Sequence, residues 1–490
     1  MMTDADFLAW AASPTALRCV LVEVGVNVGG VETVRYLSNR NYVTTPTDAP
    51  VNQVYLPVLS GAVTITEKLS IDGAASMSFG DVEVDNAGEL DGWLGDVWTN
   101  RAITVFIGDP GWPRANFRPI FAGTVARLGS RSRKSLNIVL RDKLQRLNTP
   151  MTDTKLGGAT DNKDRLLPLC FGECHNVEPL LVDPAMLKYQ VHAGAIERII
   201  EVRDNGVPVA FTGSLSTGTF TLSAAPSGTI TASVQGDKAG GTYRNTIGAL
   251  IPYIVTTYGK VVDRFSAGDL DSAQITTFSA AHPQSVGIYL TARTNVLEAC
   301  ATIASSVGAQ LVMSRSGLLR LLKIALPAAS TPTVVGPDRM VMHSLAPVDR
   351  PDVRAAVKLG FARNWTPQTG LQTGIPEAHK KLFEQEWLTT SASDATVATL
   401  HRLELEAEQE DTALLVESDA QTETNRRLSL WKVARTVWGY EGTPDLMLEA
   451  LGGTQTMINS RFDMSAGVTG QIVGLSQDWA KCRVNVEVLV

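Results

Sequence analysis

Cysteines and long apolar runs are both scarce in this chain, and each shortage excludes a class of protein. The 490 residues include 5 cysteines at scattered positions, whereas a disulfide framework requires more of them in pairs. No apolar run reaches the ~18 residues that a membrane-spanning helix needs. The first residues, MMTDADFLAWAAS, lack the charged and apolar regions of a signal peptide. The sequence therefore predicts a protein that folds in a cytoplasm and has no membrane span.

Basic tracts are also missing. The formal net charge is −7 and is spread thinly along the chain, which does not favour binding of a polyanion. Hydrophobic residues make up 44% of the chain, enough to bury large cores, and its length favours roughly three or four domains. The 41 glycines and 23 prolines, together with abundant threonine and valine, indicate strands joined by turns.

Recognisable catalytic motifs are absent from the sequence. It contains no HExxH, no GxSxG, no P-loop and no GxGxxG followed by an acidic residue. Acidic pairs such as Glu404 and Glu406 lie in a charged, solvated run, whereas a glycosidase needs two carboxylates fixed about 5–10 Å apart across a cleft. We therefore assign no catalytic and no cofactor-binding residue, and we predict that the protein is not an enzyme.

One cluster has metal-binding residue types, namely Cys170, Cys174 and His175. Zinc ribbons and fingers need a second pair of ligands at a defined distance, and an iron–sulfur cluster needs four cysteines brought together. The remaining cysteines lie far apart in the sequence. We expect buried or idle thiols and no metal ligands, with a zinc or iron–sulfur site at these three residues as the alternative.

Residues 1–150 show a succession of short alternating segments. Turn residues separate the segments, a spacing typical of a sandwich or a barrel. A short helix at Trp93–Trp98 is expected to plug one end, and residues 1–150 are predicted to form a first β-barrel. The predicted strands are Leu17–Val24, Val31–Leu37, Val63–Glu67, Ala75–Val84, Ala102–Gly108, Ile120–Leu128 and Leu136–Leu140.

The middle of the chain changes character near residue 241. Residues 151–240 read as a small β-domain, with a hairpin turn at Asp204-Asn-Gly206. Residues 241–334 read as an α+β domain, because apolar residues recur there at helical spacing. Its predicted elements are helices at Thr246–Thr257 and Asp269–Phe278, a helix from Asn295 with Glu298 in a capping box, and a hairpin of Gln310–Ser314 with Leu318–Ile324.

Residues 335–490 are predicted to form a second β-barrel with a helical insertion at about 372–438. Its opening strand follows Pro351, where apolar residues alternate up to Phe361, and Asn364, Trp365 and Pro367 end the strand. A helix is expected over Asp419–Trp438, and closing strands are expected at Thr454–Ile458, Gly470–Gln477 and Lys481–Val490. The predicted fold class is thus mainly β with an α+β middle, containing two β-barrel domains plus smaller β and α+β domains.

Several motifs in this order resemble the tail-tip, or baseplate, hub proteins of long-tailed bacteriophages, a family shared with contractile tails and gene-transfer particles. The resemblance covers nearly the whole chain, and it depends on collinearity because each motif alone is mostly turn and strand chemistry. The motifs are Val191-His-Ala-Gly-Ala-Ile, Asp204-Asn-Gly206, Gly218-Thr-Phe-Thr-Leu, Ala225-Pro-Ser-Gly228-Thr-Ile-Thr-Ala, Gly308-Ala-Gln, Phe361-Ala-Arg-Asn-Trp365-Thr-Pro-Gln, Arg461-Phe-Asp-Met and Gly474-Leu-Ser-Gln-Asp-Trp479.

The resemblance implies a structural virion protein at the phage tail tip. It implies a homotrimer in which two barrel domains per subunit form a ring that joins a sixfold tail tube to threefold tip structures. The implied partners are the distal tail protein ring, the tape-measure protein, and tail-tip, fibre or receptor-binding proteins. DNA would pass through the gated channel without specific binding, so we expect a lumen without a net basic stripe. Assembly would take place in the bacterial host cytoplasm.

Two other functions remain as alternatives. One is a tail-associated cell-wall hydrolase on a hub-like scaffold, and the other is a carbohydrate-binding module of a tail fibre. Tryptophans near the ends of elements are candidates for interface anchors, although about half of them are expected to be core. These tryptophans are Trp93, Trp98, Trp112, Trp365, Trp387, Trp431, Trp438 and Trp479.

Overall fold

The computed structural model describes residues 2–60, 64–71, 80–325, 332–479 and 481–490. Within these residues the α-helices are α1 (Asp4–Ala12), α2 (Ile247–Thr257), α3 (Ser272–Ala281), α4 (Val296–Ser305), α5 (Glu377–Glu384), α6 (Ala395–His401) and α7 (Glu417–Trp431). Short 3₁₀ helices span Asp91–Gly95, Arg114–Asn116, Lys143–Leu147, Ala239–Gly241, Ala267–Asp269 and Pro444–Leu446. Of the helices in the described ranges, none combines the length and apolarity needed to span a membrane.

The strands outnumber the helices and confirm the predicted mainly β class. From the first half of the chain they are β1 (Cys19–Val28), β2 (Val31–Ser38), β3 (Tyr42–Val43), β4 (Val54–Pro57), β5 (Thr64–Lys68), β6 (Asp81–Asp85), β7 (Ala102–Gly108), β8 (Arg118–Ser132), β9 (Ser135–Arg141), β10 (Leu169–Val177), β11 (Leu180–Asp183), β12 (Lys188–Gln190), β13 (Ile196–Asp204), β14 (Val207–Pro208), β15 (Phe211–Ser214), β16 (Thr219–Leu222) and β17 (Ile230–Asp237).

The second half contributes β18 (Gly287–Leu290), β19 (Ala309–Met313), β20 (Leu319–Lys323), β21 (Thr333–Val335), β22 (Ala346–Asp349), β23 (Ala356–Phe361), β24 (Leu388–Ser393), β25 (Gln409–Asp411), β26 (Val437–Gly442), β27 (Thr454–Met457), β28 (Val468–Asp478) and β29 (Arg483–Leu489). Of the predicted strand Ala75–Val84, residues 75–79 lie outside the described residues, and β6 covers its end.

The chain divides into two compact units, and each unit is discontinuous in sequence. Unit 1 comprises Met1–Arg146, Val312–Asp352 and Ala434–Val490, and unit 2 comprises Leu147–Leu311 and Val353–Val433. The finer division into four domains, at residues 150, 240 and 334, stays a prediction.

The first sheet of unit 1 has eight strands in the order β3-β4-β2-β1-β7-β8-β9-β6. It forms because its strands alternate, as in β1, where Val20, Val22 and Val24 are all buried. An isolated bridge between Leu59 and Val84 lies near its two ends. Beside this bridge, the N–H of Asp85 donates to the carbonyl of Val58 at 2.7 Å and that of Ser60 to the carbonyl of Glu83 at 3.2 Å. No closed barrel is found among the described strands.

The second sheet of unit 1 joins distant parts of the chain. Its order is β21-β27-β28-β29-β26-β22, and β5 also pairs with β28, with Glu67 opposite Leu475. The strand from the first segment is therefore built into the sheet of the last segment. The C-terminal strand β29 lies between β28 and β26, as its alternation predicts.

Unit 2 contains three sheets and the helices α2 to α7. The sheet orders are β14-β13-β17-β10-β18, β11-β12-β16-β15 and β24-β23-β25. The first two surround a buried cluster that includes Cys170, Cys174, Val191 and Phe220. Helices α2, α3 and α4 appear in unit 2 where the sequence predicts the α+β segment. The hairpin of β19 and β20 that follows them begins in unit 2 and continues in unit 1.

Two predictions about the stretch after Pro351 and the long helix are wrong. The strand after Pro351 becomes β23, but it pairs with β24 and β25 in unit 2 and does not open the last sheet. Helix α7 ends at Trp431, seven residues before Trp438. The carbonyl of Trp431 accepts the main-chain N–H of Arg354 at 2.9 Å, so a tertiary partner replaces the next helical bond. Trp438 then lies in β26.

The predicted capping box at Asn295 is also wrong. Helix α4 has no side-chain hydrogen bond at its N-cap. The side chain of Asn295 is engaged elsewhere, because its Nδ2 donates to Oδ1 of Asn148 at 2.7 Å. A competing tertiary hydrogen bond has therefore displaced the local one. Glu298 lies on the exposed side of α4.

Candidate functional site

The candidate site lies in unit 2 and starts from Asn364, which follows β23. Asn364 is 7% exposed, and its main-chain N–H donates to the carbonyl of Glu386 at 2.8 Å. Its side-chain Nδ2 donates to the carbonyls of Phe383 at 2.8 Å and Gln385 at 3.0 Å. These carbonyls belong to the end of α5 and the turn after it, where main-chain acceptors have no helical partner. Asn364 thus fixes the chain just before Trp387.

Trp365 and Trp387 are brought together by this arrangement. The guanidinium carbon of Arg363 lies 4.1 Å from the ring centroid of Trp365 and 5.2 Å from that of Trp387. Arg363 also forms an ion pair of 2.8 Å with Glu386. A cation over an indole face is attracted to the ring quadrupole. Arg363 therefore holds two tryptophans that are 22 positions apart in the sequence.

A cavity of about 320 Å³ opens beside these tryptophans, and we call it the aromatic cleft. Its size is at the lower end of the range for ligand pockets, about 300–1,000 Å³. Strand β18, one side of α4 and the chain that continues from β25 form its other walls. The lining residues are Gly287, Ile288, Tyr289, Leu290, Thr294, Glu298, Ala299, Thr302, Arg363, Trp365, Trp387, Asp411, Thr412, Ala413 and Leu415.

The aromatic cleft is apolar on its tryptophan side and acidic elsewhere. The carboxylates of Glu298 and Asp411 line it and are exposed. The single cation in its lining is Arg363, which already pairs with Glu386 outside the lining. Tyr289 packs against Trp365 edge to face, with ring centroids 6.1 Å apart. The cleft is therefore suited to a ligand that combines an apolar group with a positive charge.

The cluster of Cys170, Cys174 and His175 lies on β10. Both cysteines are fully buried, and burial, followed by a hydrogen bond with Cys170, raises the pKa of Cys174 well above its usual value. His175 is directed to the surface, where its Nε2 lies 3.1 Å from the carboxylate of Glu173. No group of three potential metal ligands is found among the residues the structure describes. The predicted absence of a metal or cofactor stays a prediction.

The buried histidine beside these thiols is engaged on both ring nitrogens. Nδ1 of His192 accepts the main-chain N–H of Cys170 at 3.0 Å, and its Nε2 lies 3.4 Å from a carboxylate oxygen of Asp237. Burial alone would raise the pKa of Asp237, but the hydrogen bonds that its carboxylate accepts from His192, Ala239 and Tyr253 outweigh it, so the pKa is lowered. This network satisfies buried polar groups and is structural in character.

The tryptophans divide between core and surface. Trp93, Trp98, Trp431 and Trp479 are buried, and they serve as core of the unit in which each lies. Trp112, Trp365, Trp387 and Trp438 are partly exposed and remain available as anchors of an interface. Sequence reasoning identified Trp365 but connected neither Trp387, Glu298 nor Asp411 to it, because no local pattern links them.

Unit 1 carries an exposed apolar patch near the end of its first sheet. Val43 lies opposite Val54 across β3 and β4, and Leu56 follows two residues later on the same side of the strand. Their exposed fractions are 56%, 54% and 44%, respectively. We call these three residues the β3–β4 patch. Apolar side chains clustered at a sheet end are typical of protein–protein contacts.

Comparison with solved structures finds phage tail proteins, the class to which the sequence motifs point. The chain is similar to a 43 kDa tail protein of prophage MuSo2 from Shewanella oneidensis, with 11% identity, a TM-score of 0.43 and coverage of 96% of this chain and 98% of that chain. It is similar to a tail protein from Neisseria meningitidis MC58, with 10% identity, a TM-score of 0.38 and coverage of 96% of each chain.

A chain in the virion of a native gene transfer agent particle is also similar, with 13% identity, a TM-score of 0.43 and coverage of 71% of this chain and 91% of that chain. No protein-family model matches the chain, and no curated protein matches it. At such low identities and TM-scores, these likenesses concern the course of the chain alone.

Proposed function

We propose that the protein is a non-enzymatic structural component of a phage-type tail, a homotrimeric hub ring at the distal end of the tail. The observation that carries the proposal is the joining of the two ends of the chain in unit 1. Strand β5, from the first segment, pairs with β28, from the last. The hub resemblance requires two β-domains per subunit placed side by side, and a shared strand is a direct way to couple them.

Hydrogen bonds of two largely buried side chains, Glu67 and Arg315, link three segments at this junction. Oε1 of Glu67, on β5, accepts the main-chain N–H of Arg315 at 2.8 Å. Nη1 of Arg315 in turn donates to the carbonyl of Glu449 at 2.8 Å. The three residues come from the three sequence segments of unit 1. A structural ring component must resist mechanical separation of its parts, and this interlocking of segments supports such a role.

The β3–β4 patch supports contacts between subunits. Burying three exposed aliphatic side chains in an interface is favourable by about 1.5–3 kcal/mol for each fully buried side chain, before the costs of association. In the proposed ring, the partners beyond the homotrimer are the distal tail protein ring, the tape-measure protein and tip or fibre proteins. The net charge of −7 agrees with a channel wall to which DNA does not adhere.

The experiment is mass photometry of the purified chain followed by negative-stain imaging, alone and mixed with tail components. We expect trimers and flat rings with a central channel. Val54→Glu should shift the population to monomers, because it places a charge in the β3–β4 patch. Val262→Glu is the matched control, since Val262 is 82% exposed in unit 2. A wild-type chain that stays monomeric and joins no tail particle contradicts the proposal.

A further inference from the structure

Strand β18 presents its main-chain edge to the aromatic cleft. It is the last strand of its sheet, and four consecutive residues, Gly287 to Leu290, line the cleft. Side chains of a strand alternate between two faces, so four consecutive residues reach one cavity only through the edge of the strand. The cleft therefore runs along the outer edge of β18.

The opposite wall is also a strand edge. Strand β25 is the last strand of the three-stranded sheet, and Asp411, Thr412 and Ala413 line the cleft consecutively. The N–H of Thr412 donates to the carbonyl of Gly360 on β23 at 3.0 Å. Because main-chain groups alternate in direction along a strand, those of Asp411 and Ala413 point away from β23. The N–H of Ala413 donates to Oγ of Ser306 at 2.8 Å, so Asp411 is the residue whose main chain faces the cleft.

The two edges meet at one end of the cleft and then separate. The N–H of Gly287 donates to the carbonyl of Ala413 at 3.0 Å, and Val286 and Leu414 form an isolated bridge. By the same alternation, the next main-chain groups directed into the opening are those of Tyr289 on β18 and of Asp411, the last residue of β25. No other described strand pairs with these outer edges. The opening is thus flanked by strand donors and acceptors, as in a site for an added strand.

The side chains around the opening determine which side chains an added strand needs. Trp365 and Trp387 supply an apolar wall, while Glu298 and Asp411 supply two carboxylates. An extended segment projects alternate side chains to opposite sides. A segment with an apolar side chain toward the tryptophans and basic side chains near the carboxylates matches both walls.

We propose that the aromatic cleft binds an extended, basic and apolar segment of a partner polypeptide by strand addition along β18. The main chain of the segment bonds to the groups of Tyr289, an apolar side chain contacts Trp365 and Trp387, and a lysine or arginine pairs with Glu298 and Asp411. This inference does not rest on the proposed tail role.

A saccharide is the other class of ligand that tryptophan-lined clefts accept, and the geometry favours it less. A sugar ring stacks on an open indole face. The guanidinium of Arg363 already lies over both indoles, at 4.1 and 5.2 Å from their centroids. The exposed main-chain edges, in contrast, can form regular strand pairing only with a polypeptide.

The experiment uses the full chain and a synthetic library of short acetylated peptides that alternate lysine or arginine with valine, leucine or isoleucine. Binding is measured by fluorescence anisotropy. Each binding peptide is synthesised again in two N-methylated forms, one with methyl groups on the odd-numbered residues and one with methyl groups on the even-numbered residues. We call these two forms the two phases. In one phase the methyl groups remove the N–H groups that face β18, and we expect a loss of affinity of at least about tenfold, equivalent to about one hydrogen bond or more. In the other phase we expect little change.

Charge variants test the acidic wall. Glu298→Gln combined with Asp411→Asn should weaken binding at least about fivefold at low salt and reduce its salt dependence. Glu404→Gln combined with Glu406→Gln changes the net charge equally at exposed residues outside the cleft and should have no effect. The inference is overturned if no library peptide binds, if both N-methyl phases bind equally, or if the two double variants behave alike. Binding of chitobiose in place of every peptide would overturn it in favour of a saccharide site.

Discussion

Replacing Asn364 with aspartate is the sharpest test of how the aromatic cleft is held. The substitution keeps the shape of the side chain but exchanges an NH₂ donor for an oxygen acceptor. In the folded protein that position faces the carbonyls of Phe383 and Gln385 at 2.8 and 3.0 Å. The amide nitrogen, which also lies 3.4 Å from the carbonyl of Leu382, is thus replaced by an oxygen that faces carbonyl oxygens in a site only 7% exposed.

The size of the effect follows from these contacts. A buried hydrogen bond contributes about 1 kcal/mol net, and a buried acceptor left without a donor costs about 1–3 kcal/mol. Asn364→Ala removes the bonds to these carbonyls and the bond that Oδ1 accepts from the N–H of Thr366 at 3.2 Å, whereas the Phe383 carbonyl keeps the N–H of Gln368 at 2.8 Å. We therefore expect a loss of about 2–4 kcal/mol. Asn364→Asp should lose at least as much at neutral pH, because a carboxylate is repelled by the two carbonyl dipoles.

The loss should depend on pH with a definite sign. Burial and the two carbonyls raise the folded-state pKa of the introduced carboxyl above its unfolded value of about 3.9. The protonated form is an O–H donor and restores one bond. Stability is therefore best preserved below the unfolded pKa and falls as pH rises through the folded pKa.

The assay is hydrogen exchange of residues 382–387 at several pH values, together with denaturant unfolding followed by tryptophan emission. Exchange is used because a chain of two units need not unfold in one step. Asn425→Asp is the control, since Asn425 is an exposed residue of α7 that acts as an acceptor for Gln421. Wild-type protection in Asn364→Asp at pH 8, or a loss that does not change with pH, would refute the reasoning.

Three further predictions concern buried charges and thiols. Burial alone would raise the pKa of Glu423, but two arginines of α7 outweigh it and lower the pKa. Glu423→Ala should therefore reduce the unfolding free energy of unit 2 by about 2–4 kcal/mol in denaturant unfolding at pH 7. This loss should become smaller below pH 4.5, the ordinary pKa of glutamate, and an equal loss at pH 3 would contradict the prediction. Burial raises the pKa of Glu67, so the wild type should lose stability relative to Glu67→Gln as pH rises from 4.5. If the unfolding free energies of the two proteins change in parallel with pH, the prediction is wrong. Cys174, whose pKa burial also raises, should react with a thiol reagent only after unfolding, and fast reaction of the native chain would show the contrary.

Local chemistry in the sequence determined most of the individual elements. Alternating apolar residues place β1 and β23 within a few positions of where they lie, and the helical stripe identifies α2 and α4. The Asp204-Asn-Gly206 turn follows from residues that tolerate positive φ, and Asn205 and Gly206 have φ of 43° and 85°. These features are readable because burial on one face and turn geometry are properties of neighbouring residues.

Tertiary structure alone decided which elements meet. The pairing of β5 with β28 and the end of α7 at Trp431 depend on partners far away in sequence. The aromatic cleft needs Asn364 to hold the chain before Trp387. No periodicity encodes such contacts, because strand edges and carbonyls accept any partner of suitable geometry, and the packing of the whole unit selects one.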